Sequence, residues 1–166
     1  VVSGVGQALA GFVVDRFGAL KVLAGGILLL SASGLVLASA QSFGMLLAAA
    51  MVAGLGNSVF HPADFTLLNR RVSAPRLGHA FSVHGLSGSL GWAASPVLMI
   101  AVASAWGWRA SGIAASIVGV CALAFLLANR RMLDDAPLAV VEGKQGKGGT
   151  FGFLGVPVVW MCFVFF

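Results

Sequence analysis

Charge divides the chain into long apolar runs separated by short polar breaks. Residues 22–63 carry no formal charge, enough for two membrane crossings at about 20 residues each. The break between them is the one polar cluster in that run, Ala38-Ser39-Ala40-Gln41-Ser42-Phe43-Gly44. Residues 77–108 are uncharged again and end on Trp106-Gly107-Trp108, where the indoles mark a membrane–water interface. Residues 110–129 are apolar over about one bilayer thickness at roughly 1.5 Å per residue. The pattern predicts an all-α polytopic transmembrane helix bundle with four full spans, near 22–40, 44–69, 79–104 and 108–128. Residues 1–14 and 151–166 are apolar to the chain ends and give two partial spans. With no initiator Met and no signal peptide, the chain is expected to be an internal piece of a longer protein.

Composition narrows the class. Hydrophobic residues make up 59% and charged residues 9%, against roughly 25% charged in soluble domains, so a polar skin is out of reach. Twenty-three glycines also exclude an ordinary soluble helical bundle, because Gly weakens helices in water but is tolerated between packed membrane helices. The net charge of +5 would suggest nucleic acid if its positions were ignored. If spans alternate, Arg16, Lys21, Arg70, Arg71, Arg76, Arg130, Arg131, Lys144 and Lys147 all face one side, and only Arg109 faces the other. Basic loops stay cytoplasmic, so the loops at 15–21, 70–78 and 129–150 are expected inside a cell membrane, the bacterial inner membrane, with no nucleic-acid partner. The stretch 129–150, with Asp134-Asp135, Pro137 and a Gly/Lys-rich tract, is expected to be a flexible linker between the bundle of residues 1–128 and a further helix from 151. Its Gly-Lys pairs miss the G-x-x-x-x-G-K-[ST] spacing of a phosphate loop. No serine elbow, metalloprotease motif or cofactor loop is present, so neither an enzyme nor a cofactor is expected.

The first loop reads Gly11-Phe-Val-Val-Asp15-Arg16-Phe17-Gly18-Ala19-Leu20-Lys21. Here the chain resembles the major facilitator superfamily of secondary transporters, whose loop signature is G-x-x-x-D-R-x-G-R-[RK]. Gly11, Asp15, Arg16 and Gly18 match, Ala19 and Leu20 depart from the basic pair, and Lys21 keeps one charge. Physically, Gly11 would permit close helix approach, Gly18 a tight turn, and Asp15 needs a partner at the membrane surface. The resemblance implies a conformational clamp between Asp15 and Arg70 or Arg71. It also implies that the chain runs from the second into the seventh helix of a twelve-helix transporter, so that residues 1–128 belong to the N-terminal six-helix bundle. The plainer reading of the loop is a charged turn that only sets topology.

The second full span carries the unusual chemistry. Ala50, Gly54, Asn57, His61, Asp64 and Leu68 follow a 4,3,4,3,4 spacing that puts them on one helical face. Asp64 is the only carboxylate inside any span, and an ionisable group in hydrocarbon usually marks a pathway or a proton relay. Pro62 removes a backbone N–H and frees the Ser58 carbonyl. The competing reading makes Asp64 a structural residue pairing near Arg70, about 9 Å of helical rise away. The resemblance implies an Arg associated with proton coupling in an R-x-x-x-G pattern; aligned on Gly54, Ala50 stands there, so the polar stripe is the natural substitute. The string Gly56-Asn57-Ser58-Val59-Phe60-His61-Pro62 looks like the fosmidomycin-resistance branch of the family.

In the next span His84 precedes Gly85, Gly88, Gly91 and Ser95-Pro96. The family's antiporter signature ends G-x-x-x-G-P-x-x-G-G there; Gly91 and Pro96 match, Ser95, Met99 and Ile100 do not. The plain expectation is a small-residue packing face with a proline kink. By rise, His84 lies about 12 Å from Arg76 and His61 about 13.5 Å from Arg70, so the two imidazoles share a depth. A metal site on His61, Asp64 and His84 is the sharper but less favoured alternative. Cys121 and Cys162 are expected to pack as small hydrophobes. Taken together, the residues and the resemblance point to proton-coupled efflux of a small organic molecule by alternating access, with the lipid bilayer, the substrate, protons and the missing C-terminal half as partners. The rivals are an uptake symporter and a non-transporting sensor or scaffold of the same fold.

Overall fold

The computed structural model describes residues 2–133, so the expectations for the linker, its lysines, the span from 151 and Cys162 lie outside the described residues. Among the described residues the chain is helical without strands: α1 (Val2–Phe17), α2 (Ala19–Ala38), α3 (Phe43–Ser58), α4 (Phe60–Arg71), α5 (Ala74–Trp106) and α6 (Trp108–Ala128). A short 3-10 turn, Arg130–Met132, follows α6. Four units are long and apolar enough to cross a membrane: α2, α3 with α4 taken together, α5 and α6. The fold is that of a multi-pass helical membrane bundle.

The breaks fall where local chemistry allows them. Gly18 alone separates α1 from α2, at φ +88°, a backbone conformation that side chains disfavour. The polar cluster after α2 ends in Ser42, whose hydroxyl accepts from the Met45 N–H and caps α3. Gly107 at φ +85° is the single residue between α5 and α6. Across that hairpin the Ser111 hydroxyl donates to the Met99 carbonyl at 2.9 Å.

In hydrocarbon, apolar burial gives little net attraction between helices, and close packing at small residues replaces it. The α2–α6 contact is built this way. A Cβ added at Gly34 would lie 2.5 Å from the Gly112 carbonyl, and one at Gly119 would collide with the Ser31 hydroxyl. The Ser116 hydroxyl of α6 donates to the Ser31 carbonyl of α2 at 2.7 Å, both residues buried. Gly26 and Gly56 bring α2 and α3 equally close, each Cβ position 2.8 Å from the other's carbonyl oxygen. A buried apolar cluster, Val14, Ala19, Val22, Leu23, Ile27, Ala63 and Leu67, gathers the end of α1, the start of α2 and α4. That cluster fixes which helix ends lie together. The ends bearing Arg16, Lys21, Arg70 and Arg71 share one end of the bundle, and a cleft shared by Lys21, Arg130 and Arg131 adds the end of α6. Arg109 lies at the other end, where its guanidinium donates to the Ala40 carbonyl at 2.9 Å and sits 4.3 Å from the Trp108 ring centroid.

Candidate functional site

The polar stripe of the second span is not one straight helix. Its helical run is interrupted at Val59, between α3 and α4. Pro62 thereby falls in the first turn of α4, where a missing N–H leaves no intrahelical bond unmade. The break divides the predicted face. Asn57, on α3, donates from its side-chain amide to the Ser3 hydroxyl of α1 at 2.9 Å. His61 and Asp64, on α4, face α5 instead.

Asp64 and His84 meet across α4 and α5, with the imidazole Nε2 3.7 Å from a carboxylate oxygen. The side chains keep 20% and 33% of their exposure respectively, so the pair is half-buried and reachable from the adjoining space. That space is a cleft of about 490 Å³ whose walls include His61, Phe65, Phe81, His84 and Trp92. Phe65 stands between the two imidazoles, its ring centroid 5.6 Å from His61 and 6.1 Å from His84, and packs edge-on against Phe81 at 5.2 Å. The two histidines expected at equal depth thus both contact one aromatic ring. The His61 ring lies tilted against Phe65, and among the described residues no group of three His, Cys, Asp or Glu is placed to share a metal ion. Chemically, the cleft offers two imidazoles in an aromatic wall, and one of them, His84, is in contact with Asp64. Aromatic faces take flat apolar molecules, and a carboxylate–imidazole pair can hold or release a proton.

The other motif residues are placed as follows. Gly18 makes the turn its motif requires. Gly11 approaches no helix, its added Cβ meeting nothing within 4 Å; the close approach of α1 to α3 is at Gly6 instead, against Ser58. Asp15 is exposed at the last turn of α1. Arg70 and Arg71 are engaged in contacts of their own. Arg16 lies 5.5 Å from the Phe17 ring centroid, and Lys21 borders the cleft near Arg130 and Arg131. Pro96 sits inside an uninterrupted α5. Gly85, Gly88 and Gly91 were expected to pack, yet added Cβ atoms there meet nothing within 4 Å; they border open clefts with Trp92. The reason is that no described helix covers this side of α5, which buries none of its residues. Cys121 likewise is exposed on α6 rather than packed. The packing glycines sequence reasoning missed are Gly26, Gly34, Gly56, Gly112 and Gly119. The Gly112-x-x-x-Ser116 spacing was the available signal for one of these contacts.

Comparison with known proteins agrees with this architecture. A Multidrug resistance protein B homolog of Mycobacterium tuberculosis (strain CDC 1551 / Oshkosh) is 32% identical over 114 residues, 69% of this chain and 21% of that protein. The homolog of strain H37Rv matches to the same extent. The Fosmidomycin resistance protein of Escherichia coli (strain K12) is 41% identical over 76 residues, 45% of this chain and 18% of that protein. The chain thus spans about a fifth of the length of the curated relatives it matches. No solved structure matches. The profile of the Major Facilitator Superfamily matches residues 1–166, the whole sequence, and the chain belongs to that superfamily of membrane transporters.

Proposed function

We propose that this chain contributes the proton-coupling pair and part of the substrate wall of an exporter of small organic molecules, working by alternating access between two helical halves. The observation that carries this reading is the Asp64–His84 contact across α4 and α5, at the edge of an aromatic cleft. While Asp64 is ionised it holds a protonated His84 and so ties α4 to α5. A proton taken up by the carboxylate ends that attraction and frees α5 to move. In this reading His61, one helical turn from Asp64, passes the proton on. Export is favoured over uptake because relatives are named for multidrug and fosmidomycin resistance, and removal from the cell is the direction of transport that confers resistance. The basic end of the bundle is the cytoplasmic end on this reading, in a bacterial inner membrane.

The test uses the full-length protein in sealed vesicles. Asp64→Asn keeps the side-chain volume and hydrogen-bonding capacity while deleting the titration. It should reduce gradient-driven transport to background yet leave substrate binding and downhill exchange intact. His84→Gln and His61→Ala should move the pH profile of transport rather than only scale its rate. Normal pH-dependent accumulation by a well-expressed Asp64→Asn protein would remove the coupling role. A scaffold or sensor would show no substrate-dependent proton movement with the native pair in place.

A further inference from the structure

We propose that the cleft between the start of α2 and the end of α6 is a binding site for the phosphate headgroup of an anionic membrane lipid. The cleft is about 440 Å³ and is lined by Leu20, Lys21, Ala24, Leu127, Arg130 and Arg131. Among the described residues, the three charged ones that line it are all cations, and all three are exposed. The only carboxylates among the described residues are Asp15 and Asp64, and neither lines it. The start of α2 lies beside the cleft, where Leu20 and Lys21 line it. Gly18 supplies no side-chain cap and the first turn contains no acidic residue, so its N–H groups and the helix dipole add to the same positive field.

Position selects a lipid over a soluble anion. Both α2 and α6 are long and apolar enough to cross a bilayer, so their ends lie at the level of the lipid phosphates. Leu20, Ala24 and Leu127 line the cleft beside the charges, giving a surface for the first methylenes of an acyl chain. Basic recesses between membrane helices bind anionic headgroups by this combination of charge and depth. The cleft at the opposite end makes the contrast. It is lined by Ala40, Gln41, Phe43 and Trp108 among others, and its one cation among the described residues, Arg109, is already committed to the Ala40 carbonyl and the Trp108 ring. The proposal is independent of proton coupling, and either can fail without the other.

The experiment is native mass spectrometry of the full-length protein in mild detergent, after exposure to mixed micelles of phosphatidylglycerol and phosphatidylcholine. The native protein should retain phosphatidylglycerol preferentially. Lys21→Gln, Arg130→Gln and Arg131→Gln should each weaken that retention about fivefold, as expected for one surface charge against an anionic headgroup. The triple variant should lose the preference, and Arg130→Lys should keep it. If the triple variant does not fold, the single variants decide. Unchanged preference in the variants overturns the proposal. So does complete displacement by an equal concentration of inorganic phosphate, which would mark a site for a free anion. Lipid binding that appears only after Asp134→Asn with Asp135→Asn would show the cleft to be filled by the chain's own carboxylates, and would overturn it as well.

Discussion

α2 and α5 are both membrane-length helices rich in small residues, but they use them in opposite ways. On α2, Gly26 and Gly34 lie against carbonyl oxygens of α3 and α6, with no room for a methyl group, and Ser31 accepts a hydrogen bond from Ser116. On α5, Gly85, Gly88 and Gly91 look onto open space, and no residue of the helix is buried. The same residue types thus form a closed joint in one helix and a smooth, uncovered face in the other. The lesson is that a small-residue stripe specifies close approach without specifying when or to what. The α2 joint holds the bundle together as a unit. The α5 face borders the clefts with Trp92 and, through His84, the pair with Asp64, which is where a moving surface would be useful.

This contrast can be attacked by matched substitutions, in order of expected effect. Gly34→Ala sets a methyl group 2.5 Å from the Gly112 carbonyl and should destabilise the full-length protein by about 1–3 kcal/mol, read from its unfolding midpoint in detergent. Ser116→Ala removes the α6-to-α2 hydrogen bond and should cost about 0.6 kcal/mol, and not more than about 1.7, in the same assay. Gly88→Ala meets no neighbour and should change the midpoint by less than about 0.5 kcal/mol. If Gly88→Ala instead costs as much as Gly34→Ala, α5 is packed in the native protein and the contrast fails. If it leaves stability alone but slows transport, the α5 face makes its contacts only during the transport cycle, and the contrast is sharpened.

The helices were legible because each is a charge-free run bounded by residues with a defined local role. Gly18 and Ser42 do in the structure what their chemistry suggests, a turn and a cap. The pairing of His84 with the second span was partly legible from rise alone, since both imidazoles were counted from basic residues at the same membrane face. The fate of Asn57 was not. Periodicity places it with His61 and Asp64 only if the helix is continuous, and the interruption at Val59 separates them, leaving Asn57 to Ser3 of α1. Nor could spacing decide which glycines pack. Gly34 and Gly88 sit in similar apolar surroundings along the sequence, and the difference lies in which neighbouring helix covers them.

Gly107 has a consequence for how the protein is made. With one residue between Trp106 and Trp108, α5 and α6 cannot be integrated as two separate events, because the end of one is nearly the start of the other. A pair joined this closely is suited to enter a bilayer as a hairpin with its tip leading. That tip includes Arg109, and an arginine at the membrane centre costs about 2.5–3.5 kcal/mol. A charge on the leading edge of a hairpin passes through the apolar layer once, ahead of both helices. Its acceptor, the Ala40 carbonyl at the end of α2, lies earlier in the chain, so the order of synthesis supplies the anchor before the arginine that needs it.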